Sequence, residues 1–330
     1  MNSFGRRFRL SILGESHGPC VGVLLDGCPA GLALAEADFE PDLERRRGGG
    51  AAGTTPRREA DLPAFRSGVY QGRTTGAPLL ILFDNQQVDS SAYEGIQRVP
   101  RPGHADWVAL TKFGGFADLR GSGHFSGRLT AALVAAGVVA KKLLPGVRIE
   151  ARLLEAGGSA DVAQAVAQAM AAGDSVGGLV ECRVQNLPAG LGEPFFDSLE
   201  SLISHGAFAI PAIKAIEFGD GFAACRLRGS EVNDPLEAAD GHTASNHAGG
   251  INGGISNGNE LVFRVGVKPT SSIRAPQRTL DLEANAPAVL AMGGRHDACI
   301  ALRVPVVLEA ITAAVLVDLL MAENRLPRVL

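Results

Sequence analysis

The sequence predicts an α+β fold in which two related halves share one core. Hydrophobic residues make up 46% of the 330 residues, which is enough to fill a large core. Strand-like and helix-like segments follow one another in a similar order in both halves. The tetrapeptide Pro-Ala-Gly-Leu stands between a strand and a helix twice, starting at Pro29 and at Pro188. We therefore expect one domain over residues 1–330, with internal halves at about 1–150 and 151–330 and with helices that cover a sheet-rich interior.

Apolar runs bounded by turn residues predict the elements of the first half. The predicted strands are Phe8–Leu13, Val21–Leu25, Phe65–Tyr70 and Pro78–Phe83. The predicted helices are Ala35–Arg47 and Gly127–Leu144. Pro41 is acceptable in the first helix because it lies near the start, where its missing N–H costs little. Lys141 and Lys142 suit the C-terminus of the second helix.

The second half repeats this alternation. Its predicted strands are Gly178–Val184, Ala212–Phe218 and Leu261–Val267. Its predicted helices are Ala160–Ala172, Phe195–His205 and Pro305–Ala322. Pro305 falls at the first helical position, where proline is common. No Pro/Ser-rich linker or low-complexity tract interrupts the sequence, which favours a single domain.

Composition and charge exclude several classes of protein. The formal net charge of −4 gives no overall attraction to nucleic acid or to a membrane surface. The five cysteines form no Cys-x-x-Cys pair, which predicts reduced thiols in a cytoplasmic protein. The apolar stretch Leu129–Ala140 is too short to span a bilayer, and Pro305–Met321 contains Glu309 and Asp318. We predict no metal site.

Three short glycine-containing segments carry titratable residues. They are Gly14–Gly18, Arg101–Asp106 and Gly294–Asp297. Histidine titrates near neutral pH, so His17 and His104 are candidate proton carriers, and the Asp297 carboxylate is a candidate base. Glycine lets the backbone approach a ligand closely. The alternatives are core histidines bonded to backbone and a surface Arg295–Asp297 ion pair of little energetic value.

Further segments indicate anion binding. Arg45–Arg47 ends a helix, where three guanidinium groups either bind a multiply charged substrate or simply favour the helix terminus. Gly121–Arg128 precedes a helix, whose N-terminus either attracts phosphate or only needs glycine to begin. Five glycines in Asn246–Gly258 and the polar segment Lys268–Ser272 suit a flat ring and its phosphate, or only turns. This order of glycine-rich segment, strand and polar segment contains no Gly-x-Gly-x-x-Gly motif, so it does not suit a Rossmann dinucleotide site.

These segments, taken in order, resemble the chorismate synthase family from about Ser3 to Asp318. The further motifs that carry the resemblance are Asp26–Leu32, Pro188–Pro194 and Asn246–Gly250. The resemblance implies a β-α-β sandwich, usually a homotetramer, that catalyses the last step of the shikimate pathway in aromatic amino acid biosynthesis. The implied reaction is a lyase reaction, the 1,4-elimination of phosphate from 5-enolpyruvylshikimate 3-phosphate. It uses reduced FMN without net redox change.

The resemblance also implies residue roles. It makes His17 the residue that protonates or orients the departing phosphate, His104 the proton donor to the reduced flavin, and Asp297 the base that works with flavin N5. The implied substrate-binding residues are Ser16, Arg46, Arg128 and Arg295. The implied flavin-binding residues are His124, Phe125, Ser126, Pro211, Ala212, Asn246, Gly253, Lys268, Pro269, Thr270, Ser271, Ser272 and Arg295.

The chain departs from the family pattern in three places. A second family arginine falls at Ala52, for which Arg57 or Arg58 is a hypothetical substitute. The family triplet Arg-Ser-Ser corresponds to residues 124–126, of which only the last is unchanged. Pro211 stands where the family often has Asn.

The sequence contains no extra domain for flavin reduction, so we expect an external flavin reductase and an indirect use of NADPH. The sequence is also compatible with two other functions. One is a flavin oxidoreductase that passes hydride to another substrate, which would consume NADPH in proportion to product. The other is a homo-oligomeric flavin- or anion-binding protein that has lost catalysis.

Overall fold

Two antiparallel sheets enclose a layer of helices in the computed structural model, which describes residues 2–50, 52–294 and 296–330. The strands are β1 Ser3–Phe4, β2 Arg9–Gly14, β3 Cys20–Asp26, β4 Ala64–Ser67, β5 Val69–Tyr70, β6 Arg73–Thr74, β7 Leu79–Asp84, β8 Arg148–Ala156, β9 Gly178–Gln185, β10 Ile213–Phe218, β11 Ile251–Asn252, β12 Ile255–Ser256, β13 Leu261–Val267, β14 Gln277–Asp281 and β15 Ala286–Leu290. The α-helices are α1 Glu40–Arg46, α2 Asp106–Lys112, α3 Thr130–Lys142, α4 Val162–Ala171, α5 Leu199–Ala207, α6 Gly229–Val232 and α7 Val304–Ala322.

The two large sheets have the same connectivity. The first has the order β1-β2-β3-β7-β4 and the second the order β8-β9-β13-β10. With β1 set aside, each sheet arranges its four strands, numbered along the chain, as 1-2-4-3. In each half Pro-Ala-Gly-Leu follows the second strand and leads to α1 or α5, and the fourth strand is followed by the long helix α3 or α7. This repetition supports our proposal of two related halves in one domain.

The two long helices, α3 and α7, lie between the two large sheets. Helix α3 packs on β3, α7 packs on β8 and β9, and the two helices pack on each other. Every residue from Thr130 to Ala140 is buried, and so is nearly all of α7. A helix that is apolar on all sides must be surrounded by protein. The α+β class and the sandwich order are therefore confirmed, whereas the expectation that helices cover a sheet-rich interior is wrong.

Helix α7 is the central element. Together with its preceding turn it is, within the described residues, the one helix long and apolar enough to cross a membrane, but it is buried in the fold. Its two carboxylates, Glu309 and Asp318, are nine residues apart and so face opposite sides of the helix. Glu309 accepts hydrogen bonds from Arg45 and Lys141, while Asp318 accepts from the backbone amides of residues 6–8. Burial would raise the pKa of Glu309, but its two cationic partners hold it below the ordinary value.

Some elements differ from the sequence-based expectation. Strand β8, helix α2 and the β14–β15 hairpin were not predicted. Charged side chains alternate along β8, an edge strand, so that its apolar pattern is weak. The predicted strand Phe65–Tyr70 is divided at Gly68, which has a φ of +85°. The predicted helix Phe195–His205 begins as an α-helix only at Leu199, because the Ser198 side chain caps it.

The crossing of α3 and α7 depends on Gly137. A Cβ at this position would lie 2.2 Å from the Cβ of Ala310. We expect Gly137→Ala to lower the free energy of unfolding by about 1–3 kcal/mol, because overpacking outweighs the better helix propensity of alanine. Urea unfolding measures this. Gly229→Ala is the control, since a Cβ there meets nothing closer than 4.0 Å. Equal stabilities for the two variants would show that the helices tolerate a wider crossing.

Candidate active site

One cavity of about 600 Å³ brings most of the predicted site residues together. Its walls come from the loop after β2, the end of α1, the turn before α2, the glycine-rich turn before α3, the loop after β13 and the start of α7. The predicted residues that line it are Ser16, His17, Arg46, His104, His124, Phe125, Ser126, Arg128, Pro211, Ala212, Lys268, Pro269, Thr270, Ser271, Ser272 and Asp297. Their individual roles stay predictions.

Three predicted residues are not placed in this cavity. Arg295 lies outside the described residues. Asn246 donates a hydrogen bond of 2.7 Å to the backbone oxygen of Glu260 and does not line the cavity. Gly253 lies in the turn between β11 and β12, with a φ of +62°, and does not line it either. The assignment of all three to a ligand therefore stays a prediction from the family resemblance.

A buried carboxylate organises the basic end of the cavity. Asp61 accepts hydrogen bonds from the guanidinium groups of Arg46 and Arg128, and the three side chains are at most 4% exposed. Burial would raise the pKa of Asp61, but the two guanidinium charges hold it below its ordinary value. Asp61 takes a φ of +51°, uncommon for a residue with a side chain. Two arginines from distant elements are thereby fixed side by side.

Arg46 has hydrogen-bond donors that Asp61 does not satisfy. Its Nε and Nη1 atoms are buried and have no hydrogen-bond partner among the described residues. Burial lowers the pKa of Arg46 to about 10, against the attraction of Asp61 and with further lowering by Arg303 and Arg128. Unpaired buried donors are costly unless a ligand satisfies them. This end of the cavity therefore favours an anion.

The predicted cluster Arg45–Arg47 is divided by helix geometry. Successive residues of α1 are rotated by about 100°. Arg46 and Arg47 line the cavity, whereas Arg45 faces away and pairs with Glu309. Ala52 stands where the family has a second arginine. Of its two hypothetical substitutes, Arg57 lines the cavity and donates to the Ser16 hydroxyl at 2.9 Å. Arg58 does not line the cavity.

His17 is held on two sides. Its Nδ1 lies 2.9 Å from the Ser90 hydroxyl, and its ring packs edge-on against Tyr93 with a centroid distance of 5.4 Å. Gly121, with a φ of +57°, covers the other edge of the ring. A Cβ on this glycine would lie 2.2 Å from the ring Cδ2 and 2.4 Å from Nε2. Only glycine fits here, so the glycine-rich turn before α3 shapes the surroundings of His17.

His104 lies in a second hydrogen-bonded group. Its Nδ1 is 2.8 Å from Asp106 Oδ1, and Arg101 contacts both side chains. Burial lowers the pKa of His104, the bond to Asp106 opposes this, and the charge of Arg101 adds to the lowering. Asp106 has a pKa well below its usual range, because Arg101 and His104 outweigh the effect of burial.

Asp297 pairs with a residue that the sequence did not indicate. Its carboxylate accepts from Thr55 N at 2.9 Å and from Arg303 Nη1 at 3.1 Å and 3.3 Å. Arg303 also donates from Nε to the backbone oxygen of Arg46 at 2.8 Å. Asp297 is thus connected to the basic end of the cavity. A cation at a helix N-terminus is electrostatically unfavourable, and that position of Arg303 is the signal that could have revealed it.

The loop after β13 forms another polar part of the cavity wall. Lys268 donates to the Ser271 hydroxyl at 2.7 Å, and Arg101 donates to the Ser272 hydroxyl at 2.9 Å. The Thr270 hydroxyl is buried without a hydrogen-bond partner within the described parts of the chain. Burial lowers the pKa of Lys268, with a smaller effect from Lys214. An ammonium group and a buried unsatisfied hydroxyl suit a phosphate.

The variant positions His124 and Phe125 also line the cavity. The Nδ1 of His124 lies 2.8 Å from the carbonyl oxygen of Gly14. Because a carbonyl only accepts, this nitrogen carries the proton. Phe125 packs against Phe113 at a centroid distance of 6.5 Å. The residue that replaces the family arginine is therefore fixed to the loop that carries His17.

The fold and the site define an α+β protein with a basic cavity lined by His17, His104 and Asp297. The sequence profile of the chorismate synthase family matches residues 8–321. A chorismate synthase from Chitinophaga pinensis is 59% identical over 330 residues, covering 100% of this chain and 99% of the relative. A chorismate synthase from Dehalococcoides mccartyi is 44% identical over 360 residues, covering 100% of this chain and 99% of that relative. A crystal structure of chorismate synthase has a TM-score of 0.73 and 27% identity, covering 97% of this chain and 93% of that chain.

The chain belongs to the chorismate synthase family, and it is a lyase with that family's activity. The family resemblance drawn from the ordered motifs is confirmed.

The shared carboxylate of Asp61 predicts a large loss of stability on its removal. Asp61→Ala leaves two buried guanidinium groups uncompensated, and we expect it to lower the free energy of unfolding by about 3–5 kcal/mol. Because the pKa of Asp61 is lowered in the folded state, its contribution is present above about pH 4 and is lost as the pH falls through the folded pKa.

Urea unfolding at several pH values measures both effects. Asp26→Ala, which removes an exposed partner of Arg9, should cost no more than about 1 kcal/mol. A similar cost for both variants would contradict the role given to Asp61.

Proposed function

We propose that the protein converts 5-enolpyruvylshikimate 3-phosphate to chorismate by 1,4-elimination of phosphate, with reduced FMN as its cofactor. The observation that carries the proposal is one cavity lined by His17, His104 and Asp297 and by Arg46 and Thr270, whose buried donors have no hydrogen-bond partner within the described residues. Loss of phosphate breaks a C–O bond, and loss of a ring proton breaks a C–H bond. The protein must bind a polyanion and handle protons in the same space.

The basic end of the cavity suits the substrate. The substrate has two carboxylates and a phosphate, and guanidinium groups bind both kinds of anion through paired hydrogen bonds. Arg46 and Arg128 are fixed by Asp61, while Arg57 is fixed by Glu59 at 2.7 Å. Arg303 adds a fourth guanidinium group. Pre-positioned charges of this kind bind and orient a substrate without reorganising.

The loop after β13 suits the cofactor. Lys268 and the hydroxyls of Thr270, Ser271 and Ser272 would hold the FMN phosphate, and the unsatisfied Thr270 hydroxyl is the observation that favours this fit. The cavity volume lies in the range that binds small organic ligands. Reduced FMN, when bound, supplies electron density while phosphate leaves and recovers it afterwards, so there is no net redox change.

The protein's own side chains would manage the protons. His17, oriented by Ser90 and Tyr93, would protonate or orient the departing phosphate. Asp297, held by Arg303, would act as the base, and His104 would supply a proton on the flavin side of the cavity. Positioned proton donors and acceptors of this kind contribute about 10²–10⁴-fold each.

We further propose a cytoplasmic homotetramer that obtains its reduced flavin from an external, NADPH-dependent reductase. The support for assembly is the set of large apolar side chains on the surface. These include Phe116, Phe195, Phe196 and Phe222, each at least 70% exposed. Phe195 and Phe196 are adjacent in the sequence, and contiguous exposed apolar patches mark protein contacts.

The function is tested by anaerobic phosphate release from 5-enolpyruvylshikimate 3-phosphate. We expect phosphate and chorismate in equal amounts with chemically reduced FMN and none with oxidised FMN. NADPH consumption in proportion to product would instead indicate a flavin oxidoreductase. Flavin binding without phosphate release would indicate a protein that has lost catalysis.

Replacement of His17 separates its role from flavin binding. We expect His17→Ala to lower kcat about 10²–10⁴-fold while FMN affinity changes little, because His17 acts on the departing phosphate. Stopped-flow phosphate release and flavin titration measure the two effects. The Asp26→Ala variant serves as the surface control. Full activity of His17→Ala would remove this residue from the mechanism.

A further inference from the structure

Asp106 does not line the cavity itself, and several hydrogen bonds hold its carboxylate behind the cavity wall. The Asp106 side chain is completely buried. It accepts from the backbone N of Arg101 at 3.0 Å, from its Nε at 2.8 Å and from its Nη2 at 2.6 Å. Arg101 in turn donates to the hydroxyls of Ser122 at 3.2 Å and Ser272 at 2.9 Å. The carboxylate is therefore held in one orientation from two sides.

The remaining contact of this carboxylate is His104. We propose that Asp106 is a positioning residue: it holds the Nδ1 proton of His104 and so presents Nε2 to the cavity. The inference rests on the proposed function, because it gives the tautomer and the orientation of a histidine that the proposed function places in the site. It adds a residue that never needs to touch the substrate or the flavin.

The polarity of the hydrogen bonds around His104 favours a proton on Nδ1. A charged carboxylate only accepts, and Asp106 Oδ1 lies 2.8 Å from His104 Nδ1. If Nδ1 carried no proton, two lone pairs would face each other at this distance. The competing arrangement has Arg101 Nη2, at 3.0 Å, donate to an unprotonated Nδ1. Nη2 carries two N–H groups, and one of them donates to Asp106 at 2.6 Å. A donation of the other to Nδ1 would leave the Nδ1 lone pair facing Asp106 Oδ1 at 2.8 Å, so a proton on Nδ1 is the better arrangement.

Among the charged groups around His104, Asp106 is the one that stabilises the protonated imidazole. Arg101 on the same segment and Lys268 from the loop after β13 both disfavour a positive imidazolium. The pKa of His296, which also faces this group, is lowered to about 4 by burial and by nearby Arg101, so this ring is neutral near pH 7. Asp106 is the group that raises the pKa of His104 against these effects. Removal of its charge should lower that pKa further.

The test uses Asp106→Asn in the full-length protein with ¹⁵N-labelled histidine. In the unaltered protein above the His104 pKa, we expect His104 to carry its proton on Nδ1, and in Asp106→Asn we expect a mixture of tautomers. His104→Gln identifies the signal. Asp220→Asn should change only the His247 signal, whose Nδ1 lies 2.7 Å from Asp220 on the surface.

Steady-state kinetics of Asp106→Asn give a second measure of the positioning role of Asp106. We expect Asp106→Asn to lower kcat for phosphate release about 10- to 100-fold with little change in KM. This is less than the loss of about 10²–10⁴-fold expected when a proton donor itself is removed, because Asp106 acts through His104. The pH above which kcat declines should move down, because His104 loses its proton at lower pH without the carboxylate. Asp197→Asn removes a surface carboxylate that pairs with Arg6 and should change neither quantity.

The outcomes separate the two proposals. Full activity of His104→Gln would overturn the proposed role of His104, while the spectra would still decide whether Asp106 holds Nδ1. An impaired His104→Gln beside an unchanged Asp106→Asn would overturn the positioning role. So would a lowered kcat with an unchanged tautomer. If Asp106→Asn does not fold, the spectrum of the unaltered protein decides alone, and a proton on Nε2 would overturn the proposal.

Discussion

The site depends on the buried contact of Asp61 with Arg46 and Arg128. Two guanidinium groups from the end of α1 and from the turn before α3 repel each other, and burial makes that repulsion stronger. One carboxylate between them offsets this repulsion and leaves a net positive charge for a ligand. Arg46 retains two buried donors without partners within the described chain, and an anion bound there would satisfy them. Stability and binding are thus coupled at the same residues.

The layer order explains why remote segments can meet. Helices α3 and α7 lie back to back between two sheets of the same connectivity. The glycine-rich turn that leads into α3 and the arginine that precedes α7 therefore reach the same cavity. The loop after β2 and the loop after β13 close it from the two halves. Two sheet-and-helix units of the same connectivity thus bring His17 and Asp297, which are 280 positions apart in the sequence, to one cavity.

The sequence predicted the positions of helices and strands better than the pairings between distant side chains. Helices α3 and α7 were found within a few residues because their composition is apolar throughout, and glycine-rich motifs indicated most of the cavity wall. Edge strand β8 was missed because its charged side chains hide the alternation. Asp61 and Arg303 were missed because nothing local marks a carboxylate that will meet two arginines, or an arginine that will meet Asp297. Such pairings arise only when distant segments pack together.

The two histidines of the cavity have different partners at the same ring nitrogen. Nδ1 of His17 meets the Ser90 hydroxyl, which both donates and accepts, whereas Nδ1 of His104 meets a carboxylate that only accepts. A hydroxyl can adjust to either tautomer, so His17 can change its proton without losing its contact. A carboxylate favours one tautomer and the imidazolium. The Ser90 contact therefore allows His17 to change its protonation state, whereas the Asp106 contact favours a proton on Nδ1 of His104.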